Sequence, residues 1–472
     1  MKKRVISLLF IFVTLFLIVV GPWPTDNSHY SNSKYAAETF QDINSLPVNS
    51  ASGQLQVGLA SINITPAIGI ALGGYSNRDP KANTGVLHPV HAKAITLDNG
   101  IKKVTLLSAE ILLPLPELID AVLQKTGLSR DAIYFAVTHT HSGPGAYGSG
   151  LVEELALGDF NPQQFKSLVN HLSQVVLQSR ENLQAVELEY QRLALTQSFA
   201  IEFVRNQLNK SGMPHNSLHL MQIKQAETEK ILASLITFSA HPTFLGRRNK
   251  LVSGDYPGIL MQELEKNLGH MVMFTIGAVG GMLPSGQDHS PKTRVESERQ
   301  KLDDMGHRLA NFLTGYMTGK LPNSQENLLD VKSWKTSSAI IQSDIVPIQL
   351  PYSNYRITDH LRLSPLLVTQ IFHDNDSFIH ALRIGKLVFL GYPADYSGEL
   401  AKSLEEWAIP QGVFPWATSM SGEYLGYIMP SEHYDKDYYV MRGANFYGRW
   451  AGDYFNDASQ RIVSRLYGLN NP

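Results

Sequence analysis

Three short apolar runs constrain this chain most, because each ends on a residue that can bind a cation and lies beside glycine or proline. Ile133-Tyr134-Phe135-Ala136-Val137 leads into Thr138-His139-Thr140-His141-Ser142-Gly143-Pro144. Ile231 to Ala240 ends on His241-Pro242, and Gly385 to Leu390 runs into Gly391-Tyr392-Pro393-Ala394-Asp395. β-branched and aromatic runs bounded by turn residues read as buried strands. In open α/β sheets, ligand sites gather outside the carboxyl ends of the strands, where loops carry function on a rigid scaffold. Three strand ends thus offer His139, His141, His241 and Asp395 to one crevice. Side chains alternate along an extended chain, so positions 139 and 141 are expected to point the same way, toward one cation. A single histidine at a strand end is more often a hydrogen-bonded turn residue; the recurrence is what points to a metal.

The chain contains no cysteine, which excludes disulfides, thiolate zinc sites and a thiol nucleophile, so any metal has N and O ligands. A net charge of −2 gives no basic footprint for nucleic acid. Hydrophobic content of 43% and charged content of 17% describe a globular chain with a substantial core.

Lys2-Lys3-Arg4 precede an apolar run from Val5 to Val20, the pattern of a secretory signal or of an uncleaved anchor. Residues 1–24 are accordingly expected to be a signal peptide or N-terminal membrane anchor, and 25–55, rich in Ser, Asn and Pro, a linker. The protein is then exported, secreted or anchored with its catalytic part outside the cytoplasm.

From residue 56 onward strand-like and helix-like segments alternate. Strands are expected at Val57 to Thr65, His91 to Leu97, Lys103 to Leu107, Val186 to Leu195 and Leu218 to Ile223, and at a sheet edge within Leu328 to Leu350. Helices are expected at Pro116 to Lys125, Pro162 to Asn182, Gly258 to Asn267, Arg294 to Thr314 and Ala458 to Leu466. The alternation predicts an α/β fold with a mixed β-sheet core flanked by helices.

With these elements placed, Thr138 to Pro144 resembles the THTHSGP signature of the neutral/alkaline non-lysosomal ceramidase family. Gly58 to Pro66 resembles that family's DITP start, with Asn63 where Asp is usual, and Ser239 to Thr243 its second histidine motif. Pro393-Ala394-Asp395 falls where the family has Pro-Gly-Glu; Tyr427 and Tyr439 fall on the two tyrosines of its C-terminal motif, followed by Gly443 to Gly448. The resemblance implies a zinc ion, Zn2+, held by His139, His241, Asp395 and Tyr427, with Asp395 one methylene shorter than the usual Glu. It also implies a proton-shuttle role for His141 and oxyanion contacts from Arg205 and Tyr439. An N/O set with an exchangeable position suits hydrolysis, although it does not by itself exclude iron or manganese.

The family's catalytic serine is missing: Phe274 to Pro284 carries Gly280 and Gly281 in its place, with Ser285 one residue beyond Pro284. Direct attack by activated water is the surviving route. The sequence ends at Pro472, so a single catalytic domain over 56–472 is expected, without the family's extra C-terminal β-sandwich domain. The implied activity is cleavage of the N-acyl amide of a ceramide-like or other lipid amide. The partners implied are that lipid and a membrane surface met through the N-terminal segment; no obligate protein partner is indicated. A metallohydrolase acting on a different ester or amide, and a non-catalytic envelope-anchored binding protein, are the alternatives.

Overall fold

Strand residues of opposite parity feed different cores. In Ile133–Val137, the side chains of Ile133, Phe135 and Val137 join one hydrophobic cluster and those of Tyr134 and Ala136 another. That two-residue period builds the architecture. The structure, a computed structural model, describes residues 2–79, 81–288, 290, 293–320, 326–372 and 376–470.

The principal strands are β1 (Gln56–Asn63), β2 (His91–Asp98), β3 (Lys103–Ala109), β4 (Ile133–Val137), β5 (Gln184–Leu195), β6 (Ser217–Gln225), β7 (Ile231–Phe238), β8 (Met271–Ile276) and β9 (Leu328–Thr336). These form a nine-stranded mixed sheet in the order β8-β7-β6-β5-β1-β2-β3-β4, with β9 also paired to β5. The pairs β3–β4 and β7–β8 are parallel. A second sheet takes β10 (Ile341–Gln349), β11 (Asp376–Ile384), β12 (Leu387–Gly391) and β13 (Phe414–Thr418) in that order. The sheets face each other across a core in which Leu106, Tyr134 and Leu188 of the first join Leu382, Phe389 and Trp416 of the second.

Helices cover both outer faces. On the large sheet lie α3 (Pro116–Thr126), α4 (Pro162–Ser179), α5 (Asp255–Leu268) and α6 (Val295–Met317). On the small one lie α2 (Lys34–Ser45), α7 (Gly398–Ala408) and α8 (Ala451–Tyr467). The result is four layers, α-β-β-α, in agreement with the expected mixed sheet flanked by helices. The elements expected from periodicity are all present.

The segment expected to be a linker differs. Within residues 25–55, α2 is capped by Ser33, whose Oγ accepts from the Ala36 N–H at 3.2 Å. Its Ala36, Thr39 and Ile43 are buried. That three- and four-residue spacing makes one apolar helical face, which docks on β10 and α8 and is hidden in sequence by Ser/Asn-rich flanks. Before it, α1 (Lys2–Val19) exposes its large apolar side chains from Val5 to Val19. Among the described residues no helix is long and apolar enough to cross a membrane, so the expected transmembrane helix is not met there.

The large sheet curls so that its far strands meet. The Lys93 ammonium on β2 donates to the Val272 carbonyl of β8 at 2.7 Å, and the Ser108 hydroxyl on β3 to that of Phe274 at 2.5 Å. This curvature brings the carboxyl ends of β4 and β7, remote in strand order, side by side.

Candidate metal centre

His139 follows β4 by two residues and has φ +61°, a left-handed conformation that is uncommon for a side-chain-bearing residue and collects at functional sites. The strand therefore stops at Val137, and it is this turn, not strand alternation, that brings His139 and His141 together. The His139 Nδ1–H donates to the Leu112 carbonyl at 2.6 Å. Burial holds the ring's pKa down at about 4, so it is neutral and has only a lone pair to offer at Nε2.

That lone pair faces the Nε2 of His241 at 3.0 Å, and the Nε2 of His141 lies 3.1 Å from the same atom. His241 is buried just beyond the end of β7, with its main-chain N–H bonded to the Met282 carbonyl at 3.0 Å. Burial, reinforced by His139, pushes its pKa well below the usual range. Three imidazole nitrogens thus converge on one point.

Asp395 closes the set. It opens the two-residue strand Asp395–Tyr396, which pairs in parallel with Tyr427–Ile428 and puts Asp395 opposite Tyr427. Its carboxylate is buried, with Oδ1 3.7 Å from the His139 Nε2 and 4.0 Å from the His241 Nδ1. Oδ1 has no hydrogen-bond partner among the described residues. Burial raises the carboxyl to about 8, opposed by hydrogen bonds from Tyr424 and Tyr427. A buried carboxylate oxygen left orphaned beside converging imidazole lone pairs is costly without a cation and suited to one. His139, His241, Asp395 and half-buried Tyr427 therefore fit an N/O-bound ion such as zinc. His141, expected beside the ligands, brings Nε2 as close to His241 as His139 does.

Tyr439 sits at the start of the short helix Tyr439–Arg442 with its ring exposed, and its phenol pKa is raised by partial burial and then by the Asp395 charge. Arg205 is exposed on the flanking strand Val204–Asn206, opposite Leu283.

The glycines at the position where the resemblance implies a serine are tightly constrained. A Cβ on Gly280 would lie 2.5 Å from the Asp395 carbonyl, because Gly280 bridges directly to Ser397. Gly281 has φ +80°, which a serine would adopt only under strain. Ser285 is elsewhere: its hydroxyl donates to the Ile201 carbonyl at 2.6 Å in an exposed loop.

Residues that sequence reasoning missed support the centre. The Tyr424 hydroxyl donates to Asp395 Oδ2 at 3.4 Å, leaving Oδ1 toward the histidines. Buried Arg78 donates to the carbonyls of Leu72, Gly73 and His141 at 3.2, 2.9 and 2.7 Å, tying the loop around Gly74 to the His141 turn. Gly74, at φ +122°, passes so close that a Cβ would sit 2.7 Å from that of His141.

A second buried cluster, His215, His219 and Glu405, also has a metal-like composition. Here, however, the donors and acceptors match without an ion. Glu405 Oε1 accepts from the Nε2 of His215 and His219 at 3.0 and 3.1 Å, while Oε2 accepts from Arg192 Nε at 2.7 Å and the Ser217 hydroxyl at 2.5 Å. The other ring nitrogens meet the Ser239 and Tyr190 hydroxyls, each at 2.8 Å. We read it as a structural hub that joins β5, β6 and α7.

Residues 55–301 match the sequence pattern of the family described as neutral/alkaline non-lysosomal ceramidase, N-terminal. The chain belongs to that family. It is 24% identical over 233 residues to a neutral ceramidase of Mycobacterium tuberculosis, a match covering 46% of this chain and 36% of that protein. Neutral ceramidase 3 of Arabidopsis thaliana is 30% identical over 135 residues, covering 27% of this chain and 18% of that one. The matched stretches thus span about a third or less of these ceramidases. The crystal structure of neutral ceramidase from Pseudomonas aeruginosa superposes with a TM-score of 0.68 at 17% identity, covering 88% of this chain and 75% of that one, a likeness of fold.

Proposed function

We propose that this chain is a zinc-dependent amidohydrolase that cleaves the N-acyl amide of a ceramide-like lipid by attack of activated water. The observation that carries the reading is the convergence of three imidazole Nε2 atoms beside the orphaned Oδ1 of Asp395. His139, His241, Asp395 and Tyr427 would hold the ion. When bound, such an ion supplies Lewis-acid polarisation of the amide carbonyl and makes a nearby water more acidic.

The chain's own residues do the rest. Leu112 fixes the His139 tautomer, and Tyr424 orients the Asp395 carboxylate, the outer-sphere support on which ligand geometry depends. His141, half-buried against the Tyr75 ring at 5.1 Å between centroids, is assigned the proton transfer that lets the amine leave. Tyr439 and Arg205 are assigned hydrogen bonds to the carbonyl oxygen as it gains charge. The exclusion of a side chain at Gly280 supports water, not a serine hydroxyl, as nucleophile.

The same exclusion favours one second reading, a metallohydrolase of this fold that takes a different amide or ester. The apolar N-terminal helix supports export and a membrane-surface location, whether its segment is retained or removed. Hydrolysis of a fluorogenic N-acyl sphingosine by the purified full-length protein tests the substrate. Turnover that a chelator abolishes and zinc restores is expected; a zinc-loaded protein that leaves this amide intact but cleaves simple esters would favour the second reading.

A further inference from the structure

An exposed hairpin lies between α1 and the segment that carries Tyr439. Its turn closes through the Ile357 N–H donating to the Leu361 carbonyl at 2.8 Å, and it exposes Ile357 and Leu361, with Tyr352 before it and Leu366 after it. One side of this hairpin holds the end of α1. The Ser364 hydroxyl donates to the Ile18 carbonyl at 2.8 Å, the Ser364 N–H to that of Val20 at 3.0 Å, and Trp23–Pro24 pairs with Leu361–Arg362.

Its other side holds the rim of the site. Buried Arg356 donates to the Tyr434 and Met441 carbonyls at 2.7 and 2.8 Å, and Arg442 pairs with Asp359. Tyr355 stacks on Phe446 and is within electrostatic reach of Tyr439. Exposed apolar side chains therefore occur along α1, at Ile357, Leu361 and Leu366 of the hairpin, and at Tyr439, with the exposed Asp359–Arg442 ion pair between the hairpin and the Tyr439 helix.

We infer that this hairpin is a bilayer-docking ledge that seats the mouth of the metal centre against a lipid surface. The inference rests on the lipid-amide reading above and deepens it. Apolar side chains exposed on a hairpin that is bonded to an exposed apolar helix make a candidate lipid-contact surface. Through Ser364 the hairpin is hydrogen-bonded to the end of α1, whose large apolar side chains are exposed from Val5 to Val19. A chain so built meets hydrocarbon with α1 and the hairpin together, since the hydrogen bonds at Ile18 and Val20 fix one beside the other. A lipid amide is then presented beside the helix that carries Tyr439.

The absence of native cysteine allows a direct test. Single-cysteine variants I357C, L366C, F10C and L177C of the full chain are labelled with an environment-sensitive fluorophore and mixed with phosphatidylcholine/phosphatidylglycerol vesicles. Position 177 is exposed on α4, against the other sheet, and serves as the reference. Blue-shifted emission and quenching by nitroxide-labelled lipid are expected at 357, 366 and 10 but not at 177. A response at 10 alone would overturn the ledge and leave only an anchor; no response at any position would overturn bilayer docking altogether. The readout needs no turnover, so failure of the ceramidase-like reading and failure of the ledge are distinguishable.

Discussion

Replacing Glu405 with glutamine tests the buried hub that joins β5, β6 and α7. The carboxylate takes four donors on two oxygens, and one is the Arg192 guanidinium. Glutamine keeps one acceptor oxygen and turns an amide N–H2 toward two of those donors, so two hydrogen bonds fail and Arg192 loses its counter-charge. Breaking a buried ion pair from one side costs about 3–5 kcal/mol. If a chain of this length unfolds as one unit, its unfolding entropy is about 1 kcal/mol/K, so the melting temperature falls by about 3–5 °C at pH 7.

The pH dependence sharpens the test. Burial raises the Glu405 carboxyl, but His215, through charge and a hydrogen bond, and then His219 outweigh it and leave it well below the usual 4.5. A carboxyl lowered in the folded state contributes stability in full above its unfolded value and loses it as pH falls through the folded one. The gap between wild type and E405Q should therefore be full at pH 7 and shrink only below about 4.5. Thermal unfolding at pH 7, 5 and 3.5 reads this directly. A deficit under about 1 kcal/mol at pH 7, or one that does not shrink in acid, refutes the assignment of the cluster as an ionic hub.

Three further outcomes are expected. H139A and H241A should each lose zinc and turnover together while keeping the far-ultraviolet circular dichroism of the wild type; zinc retained at full stoichiometry in both would contradict the ligand assignment. G74A puts a methyl 2.7 Å from the His141 Cβ at φ +122°, so it should lower stability by about 1–3 kcal/mol, measured by urea titration, and turnover more than tenfold. S285A removes only an exposed hydrogen bond to Ile201, so stability should change by no more than about 0.5 kcal/mol and kcat stay within twofold.

Much of this organisation was legible in sequence because it is local. The two-residue period of Ile133–Val137 and the Pro-started, Asn161-capped helix at Pro162–Ser179 carry their own signals. The histidines were found for a sound reason, strand ends, but their convergence rests on a left-handed His139 and a curled sheet, neither of which periodicity encodes. Asp395 was reached, like the histidines, as a strand end and Tyr427 only through resemblance, and the parallel pairing that sets them opposite each other supplies the physical reason. Arg78, Tyr424 and Glu405 stayed hidden because what marks them is partners 63, 29 and up to 213 residues away in the chain. Helix α2 was missed because three buried positions are a faint stripe inside a polar segment.

The measurement that bears most directly on the central claim is calorimetric titration of zinc into chelator-stripped, full-length protein, with D395A alongside. One tight site per chain, weakened at least tenfold in D395A, is expected from a centre whose orphaned Oδ1 faces the histidines. No saturable zinc binding, or binding unchanged in D395A, would contradict it.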